Sequence, residues 1–251
     1  MKAAFFLALA LFAGLPGSSG ADEMKFVTEP FRPFAYDEAG HAAGPMAEIV
    51  AAACAALHKS CTQVVLPWRR ALDGAEAGRF QGIYSLLDLP QRREKFYMSQ
   101  PLVQTAYAFV ARAGTTWQYT GAESLRDKLV LAYGPSGTSM LAANLIKDSR
   151  GAELSIAIGN DIVLQQIAAA QDRPNLIGLI NRDVAAALIE QLDISGLRFA
   201  GDAQASTYAI GLSRAAVSAK EATSFDAALS DLKASGTIKA ILTRHGLRAA
   251  D

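Results

Sequence analysis

The spacing of apolar and polar positions changes period repeatedly along this chain, and each change predicts an element. A thirteen-residue apolar run, Ala3 to Leu15, stands alone at the start between Lys2 and the break Pro16-Gly17-Ser18-Ser19-Gly20. Beyond it, Lys25 to Thr28 has strand character, and Glu29-Pro30-Phe31-Arg32-Pro33-Phe34 must be a loop because two prolines forbid regular pairing. Asp37 to Gly40 reads as a turn. Pro45 to Leu57 reads as a helix with proline in its first turn, where the missing N–H costs nothing. Thr62 to Leu66 alternates as a strand, Arg69 to Ala77 is helical and ends at Gly78, and Phe80 to Ser85 is the next short strand. Strands separated by helices of this length predict parallel βαβ units.

The same grammar restarts further on. Leu129 to Tyr133, Glu153 to Ile158 and Asn175 to Ile180 read as strands; Ser139 to Lys147, Asn160 to Gln171 and Asp183 to Gln191 read as helices. Thr105 to Arg112 and Thr207 to Arg214 are longer β-rich segments flanking this second unit, which makes them the candidates for strands crossing between two lobes. Near the end, Phe225, Ala228, Leu229 and Leu232 recur at helical spacing, with Ser224 as N-cap and Gly236 past the end. That helix is expected to dock on the first lobe. The expected organisation is therefore α/β, with residues 1–21 a leader, 22–112 plus 206–251 one lobe, and 113–205 the other. A ligand belongs in the cleft between them, since open α/β sheets bind at the carboxyl ends of their strands.

Composition narrows the function classes. The 251 residues carry 24 Lys and Arg against 24 Asp and Glu, so there is no cationic excess to neutralise nucleic-acid phosphates or an anionic membrane surface. With 51% apolar residues the chain is not a disordered one. The first apolar run is too short to span a bilayer and is read as a secretory signal peptide, with small residues Ser19 and Ala21 suiting cleavage after Ala21. The expected product is periplasmic. Two cysteines and three scattered histidines (His41, His58, His245) offer no metal set, and no cofactor is expected. Export permits a disulfide. Cys54, late in a helix, and Cys61, before a strand, either form one or remain two small core thiols. No long exposed apolar stripe argues for more than a monomer.

Several runs together carry a family resemblance. Leu66-Pro67-Trp68-Arg69-Arg70-Ala71-Leu72, Gly78-Arg79-Phe80-Gln81-Gly82-Ile83, Pro90-Gln91-Arg92-Arg93 and Met98-Ser99-Gln100-Pro101-Leu102 resemble the first lobe of periplasmic solute-binding proteins of family 3, the amino-acid receptors of ABC importers. Ser124-Leu125-Arg126-Asp127-Lys128-Leu129 and Leu232-Lys233-Ala234-Ser235-Gly236-Thr237 resemble the same family further on. The resemblance implies a type II two-lobe fold with two crossing strands, a small-molecule solute and a membrane permease of ABC type as partner. It also implies a Cys54–Cys61 disulfide, similar in placement to that of the histidine and lysine/arginine/ornithine receptors.

Site residues follow from the same resemblance and from side-chain chemistry. Arg92 matches the family's carboxylate-binding arginine, whose planar fork suits two parallel hydrogen bonds. Phe31 and Trp68 match its apolar or aromatic walls, and Ser85 its strand-end hydrogen-bonding group. In Tyr133-Gly134-Pro135-Ser136-Gly137-Thr138-Ser139, a strand gives way to a helix start, where Ser136 and Thr138 offer hydroxyls and free N–H groups to an anion and serve equally well as caps. Three positions depart from the family pattern: Leu89 replaces a threonine, Gln81 replaces a strand aspartate, and Asn181-Arg182-Asp183 stands where the ammonium-binding aspartate belongs. Asn181 and Asp183 are both kept as candidates for the cleft. The expectation is thus a receptor, not an enzyme, for a small carboxylate-bearing solute that need not be a standard amino acid. Two alternatives stay open: an exported cyclohexadienyl dehydratase, with Glu29 or Asp88 as general acid, and a receptor reporting to a membrane sensor.

Overall fold

A computed structural model describes residues 23–251, so the signal-peptide reading of residues 1–21 lies outside the described residues. The first part of the chain runs β1 (Met24–Thr28), a small hairpin β2 (Tyr36–Glu38) and β3 (His41–Ala43), α1 (Pro45–Ala56), β4 (Cys61–Val65), α2 (Trp68–Glu76), β5 (Gly82–Leu87), a single helical turn α3 (Pro90–Arg93) and β6 (Phe96–Met98). A long strand, β7 (Val103–Arg112), leads to β8 (Leu129–Tyr133), α4 (Gly137–Ile146), β9 (Glu153–Ala157), α5 (Asn160–Ala169), β10 (Leu176–Asn181) and α6 (Arg182–Gln191). The chain returns through β11 (Leu197–Ser213) and ends with α7 (Ala219–Ala234), α8 (Thr237–Arg244) and β12 (Arg248–Ala249).

One twisted sheet contains all the described strands except the β2–β3 hairpin, in the order β4-β1-β5-β11-β7-β10-β8-β9, with β6 and β12 added at β11 and β7. Its two ends are parallel: β4, β1 and β5 on one side, β10, β8 and β9 on the other. Between them β7 and β11 pair antiparallel from Leu197↔Arg112 to Tyr208↔Val103. Each parallel group with its helices is one lobe, and β7 and β11 cross from one to the other. The sequence anticipates the second of these only as Thr207 to Arg214. Its first half, through Asp202 and Gln204, lacks a clear strand alternation because it is mostly half-buried and interrupted by bulges.

Burial explains why the helices lie where they do. On α1 the buried residues Met46, Ile49, Val50, Ala53 and Cys54 recur at three- and four-residue steps, so one stripe faces the sheet. The opposite face of the sheet is covered by α2, where Trp68, Ala71 and Ala75 meet Val27, Ile83 and Leu86. Covered on both faces, β5 is buried along its whole length, as a central parallel strand must be. The C-terminal helix packs on the first lobe as expected, with the Phe225 ring 5.4 Å from that of Phe26. It starts earlier than expected, however. Ser218, not Ser224, is its N-cap: the Ser218 hydroxyl accepts from Glu221 N–H and the Glu221 carboxylate accepts from Ser218 N–H, while Ser224 lies inside the helix and donates to the Lys220 carbonyl. Gly236, at φ +79°, ends α7 and opens α8 directly.

Cys54 and Cys61 form a disulfide with Cα atoms 6.2 Å apart, tying the end of α1 to the start of β4. Closing so short a loop restrains the unfolded chain by about 2 to 3 kcal/mol in the chain-entropy model. Replacing both cysteines by alanine is expected to lower unfolding free energy by about that amount. Denaturant titration of the oxidised parent and the double variant checks this, with equal midpoints as the contrary result.

Candidate functional site

The carboxyl ends of the parallel strands from both lobes converge on one small cavity. Glu29 follows β1, Trp68 follows the end of β4, Ser85 and Leu87 end β5, Tyr133 ends β8, and Ser136, Gly137 and Thr138 open α4. Arg92 from α3, Phe31 from the first loop, Tyr107 from β7 and Tyr208 from β11 complete the lining. Its volume is about 20 Å³, room for little more than one water.

Arg92 is its electrostatic centre. The guanidinium is buried, donates one hydrogen bond to the Leu87 carbonyl at 3.0 Å and lies 5.1 Å from the centre of the Trp68 ring. Burial lowers its pKa somewhat, but an arginine stays charged at any physiological pH. Across the lobe boundary stands α4. A Cβ on Gly137 would lie 2.5 Å from Leu87 Cδ1 and 3.8 Å from Arg92 Nη2, so a larger residue here would have to push the tip of the Leu87 side chain aside. Ser136 caps α4: its hydroxyl accepts from Thr138 N–H at 3.1 Å and donates to the Tyr133 carbonyl at 2.7 Å.

Glu29 is the carboxylic acid of the cavity. The residue is partly exposed as a whole, but its carboxyl is enclosed, and the Tyr133 hydroxyl donates to Oε2 at 3.2 Å. Desolvation raises its pKa to about 8, against the opposing pull of the Tyr133 hydrogen bond and the Arg92 charge. At neutral pH it is therefore mostly protonated. Tyr107 and Tyr208 share a hydrogen bond at 2.8 Å, and burial raises both phenols, keeping them neutral. The wall thus carries one net positive charge.

Ser85 is strained as well as unpartnered. It holds φ at +62°, in the left-handed region that a serine seldom adopts, and its buried Oγ has no hydrogen-bond partner. Phe31 packs at 5.5 Å on both Phe34 and Tyr208. Six residues proposed from sequence, Phe31, Trp68, Ser85, Arg92, Ser136 and Thr138, thus meet in one place.

The model of the bacterial extracellular solute-binding proteins, family 3, matches residues 24–248. The chain belongs to that family. No curated protein matches it. Solved structures of this fold resemble it at low identity. A histidine kinase sensor domain with similarity to periplasmic binding proteins superposes with TM-score 0.81 at 16% identity, covering 92% of this chain and 99% of that one. An ancestral arginine-binding protein bound to arginine gives 0.76 at 18%, covering 88% and 97%. An amino acid ABC transporter substrate-binding protein from Streptococcus pneumoniae, bound to L-arginine, gives 0.73 at 18%, covering 89% and 94%.

Within this family-3 solute-binding protein, the positions that depart from the family pattern have structural partners of their own. Gln81 accepts the Lys25 N–H at 2.8 Å, holding the start of β1. Leu89 caps α3 through its carbonyl, which accepts from Arg92 N–H. Asn181 and Asp183 do not line the cavity. Asn181 caps α6 and reaches Tyr208 from behind, Arg182 pairs with Asp202, and Asp183 accepts the Thr105 hydroxyl at 2.7 Å. Asp183 lines instead a larger groove of about 970 Å³ that shares Leu87, Tyr107 and Gly137 with the cavity. Asp88, paired with exposed Arg93, lines that groove too. Among the described residues no group of three or more His, Cys, Asp or Glu could hold a metal ion.

Sequence reasoning did not assemble the three tyrosines or make Glu29 part of the binding wall. Glu29 carried one signal, its place directly after a strand.

An acid whose pKa rises on folding from 4.5 to about 8 makes the native state bind the proton more tightly. Its contribution is complete below pH 4.5 and is lost as pH rises toward 8. Glu29→Gln is therefore expected to flatten a decline in melting temperature between pH 5 and 8 in ligand-free protein. Calorimetry of both proteins across that range checks it, and parallel pH profiles would refute the assignment.

Proposed function

We propose that this protein is a receptor that closes two lobes, residues 22–112 with 206–251 and residues 113–205, around a small carboxylate-bearing solute and delivers it to a membrane permease of ABC type. The observation that carries this reading is the buried Arg92 charge, which makes no salt bridge, Glu76 acting on it only from a distance and Glu29 being held protonated. A buried cation left unpaired is costly, and a solute carboxylate supplies the missing counter-charge through the guanidinium's free N–H groups. Aromatic walls at Phe31, Trp68, Tyr107 and Tyr208 add apolar contact. Since the cavity draws on both lobes, a bound solute holds them together. A solute larger than one water needs more room than the cavity has, and making that room by lobe movement would couple binding to closure. The arginine-bound neighbours support an amino acid or related compound, and the histidine kinase sensor neighbour supports a sensor as the competing partner.

Glu29 favours one second reading. A carboxylic acid protonated at neutral pH beside an anion-binding arginine is the arrangement a general acid needs, as in the cyclohexadienyl dehydratase alternative. Loss of prephenate or arogenate absorbance on adding purified protein, abolished by Glu29→Gln, would establish it in place of the receptor.

The receptor reading predicts that protein stripped of co-purified solute by unfolding and refolding gains about 2.7 kcal/mol from a cognate carboxylate at a hundred times its dissociation constant. A thermal-unfolding panel finds that solute. Arg92→Ala should then weaken it at least a hundredfold. Gly137→Ala should weaken it at least tenfold by obstructing closure at Leu87, with small-angle scattering reporting a more open protein. Unchanged affinity in Arg92→Ala would remove the carboxylate from the proposal.

A further inference from the structure

What a carboxylate-bearing solute can carry beside its carboxylate is limited by the hydrogen bonds already made around the cavity. Asn181, at the end of β10, is fully committed. Its Oδ1 accepts from the Asp183 and Val184 N–H groups at 3.0 and 3.1 Å, and its Nδ2 donates to Thr105 Oγ1 at 2.6 Å and to the Tyr208 hydroxyl at 3.1 Å. A primary amide has two donors and two acceptor lone pairs, so none is left for a ligand. The next carboxylate, Asp183, is held by the Thr105 hydroxyl and faces the larger groove. The second lobe therefore presents no anionic acceptor to an ammonium group in this cavity.

The groups that remain are neutral. Ser85 is 7% exposed, with its Oγ unpartnered and its backbone in the left-handed region, an unmet hydrogen bond built into the wall. Glu29 accepts from Tyr133 through one oxygen, leaving the other side of its carboxyl for a ligand. The ionisable groups around it are Arg92 from α3, Tyr133 from β8, Tyr107 from β7 and Tyr208 from β11.

We propose that this pocket selects carboxylates whose second polar group is an uncharged oxygen, the 2-oxo or 2-hydroxy acids, over the corresponding α-amino acids. The inference rests on the receptor reading above. Arg92 takes the carboxylate, while the Glu29 carboxylic acid donates to the uncharged oxygen and Ser85 completes it. A 2-oxo oxygen accepts from both; a 2-hydroxyl accepts from Glu29 and donates to Ser85. An ammonium has only donors to offer, and beside a protonated Glu29 it meets neutral acceptors alone, with no counter-charge.

The two solute classes therefore favour opposite protonation states of Glu29 and give opposite pH profiles. A monoanion beside protonated Glu29 binds well at pH 6 to 7 and loses up to tenfold in affinity per unit above the Glu29 transition. A zwitterion needing ionised Glu29 gains affinity over the same range. The test is isothermal titration at pH 6 to 9.5 with matched 2-oxo, 2-hydroxy and amino acids bearing aromatic, aliphatic and charged side chains, on the parent and on Glu29→Gln. The expected result is at least tenfold preference at pH 7 for an oxo or hydroxy acid over its matched amino acid, with a falling profile that Glu29→Gln flattens. Preference for the amino acid with a rising profile overturns this proposal and leaves the receptor standing. Failure of every carboxylate to bind overturns both.

Discussion

A guanidinium enclosed at the boundary of two lobes, with no ionised partner of its own, is the constraint around which this molecule is arranged. Desolvating such a charge is costly, and what surrounds Arg92 offsets only part of the cost: one carbonyl and the face of an indole. The neighbouring α4 contributes the positive end of a helix, which adds to the field at Arg92 and does not relieve it. Two positive ends brought together across a cleft make sense only if something negative is to come between them. Each supporting feature serves that convergence: glycine at 137, the left-handed turn at Ser85, and an acid kept neutral at Glu29.

Much of this was legible in the residues, for physical reasons. Parallel strands buried on both faces leave short apolar runs between helices, and these predicted the strands of both parallel groups to within a few residues. Trp68 and Arg92 stand out because they occupy a strand-to-helix turn and a Pro-initiated helical turn, sites fixed by local sequence. The tyrosines were hidden. Tyr107 and Tyr208 sit within apolar strands where a hydroxyl does not disturb the pattern, and only the pairing of β7 with β11 brings them within 2.8 Å of each other. Glu29 was visible as an acid after a strand, but its neutrality comes from enclosure by residues far away in the chain. Some misses were avoidable. Ser218-Ala219-Lys220-Glu221 has the spacing of a capping box, a stronger helix start than the serine six residues later.

Asn181 shows how one side chain can decide chemistry without touching a solute. By committing its acceptors to the start of α6 and its donors to Thr105 and Tyr208, it makes the end of β10 a scaffold for the tyrosine pair. The polarity of the cavity is thus set from behind its wall.

The course of β11 bears on how the two halves move. Its ladder with β7 shifts register between Phe199 and Asp202 and again before Gln204, and Gly201 there adopts φ +123°. The ladder is therefore irregular over these residues, and β11 shifts register again against β5 between Ala209 and Ile210. Residues left out of the ladder at these breaks have fewer backbone hydrogen bonds to give up than the regular stretches do, so the crossing strand is least restrained where it runs between the two halves.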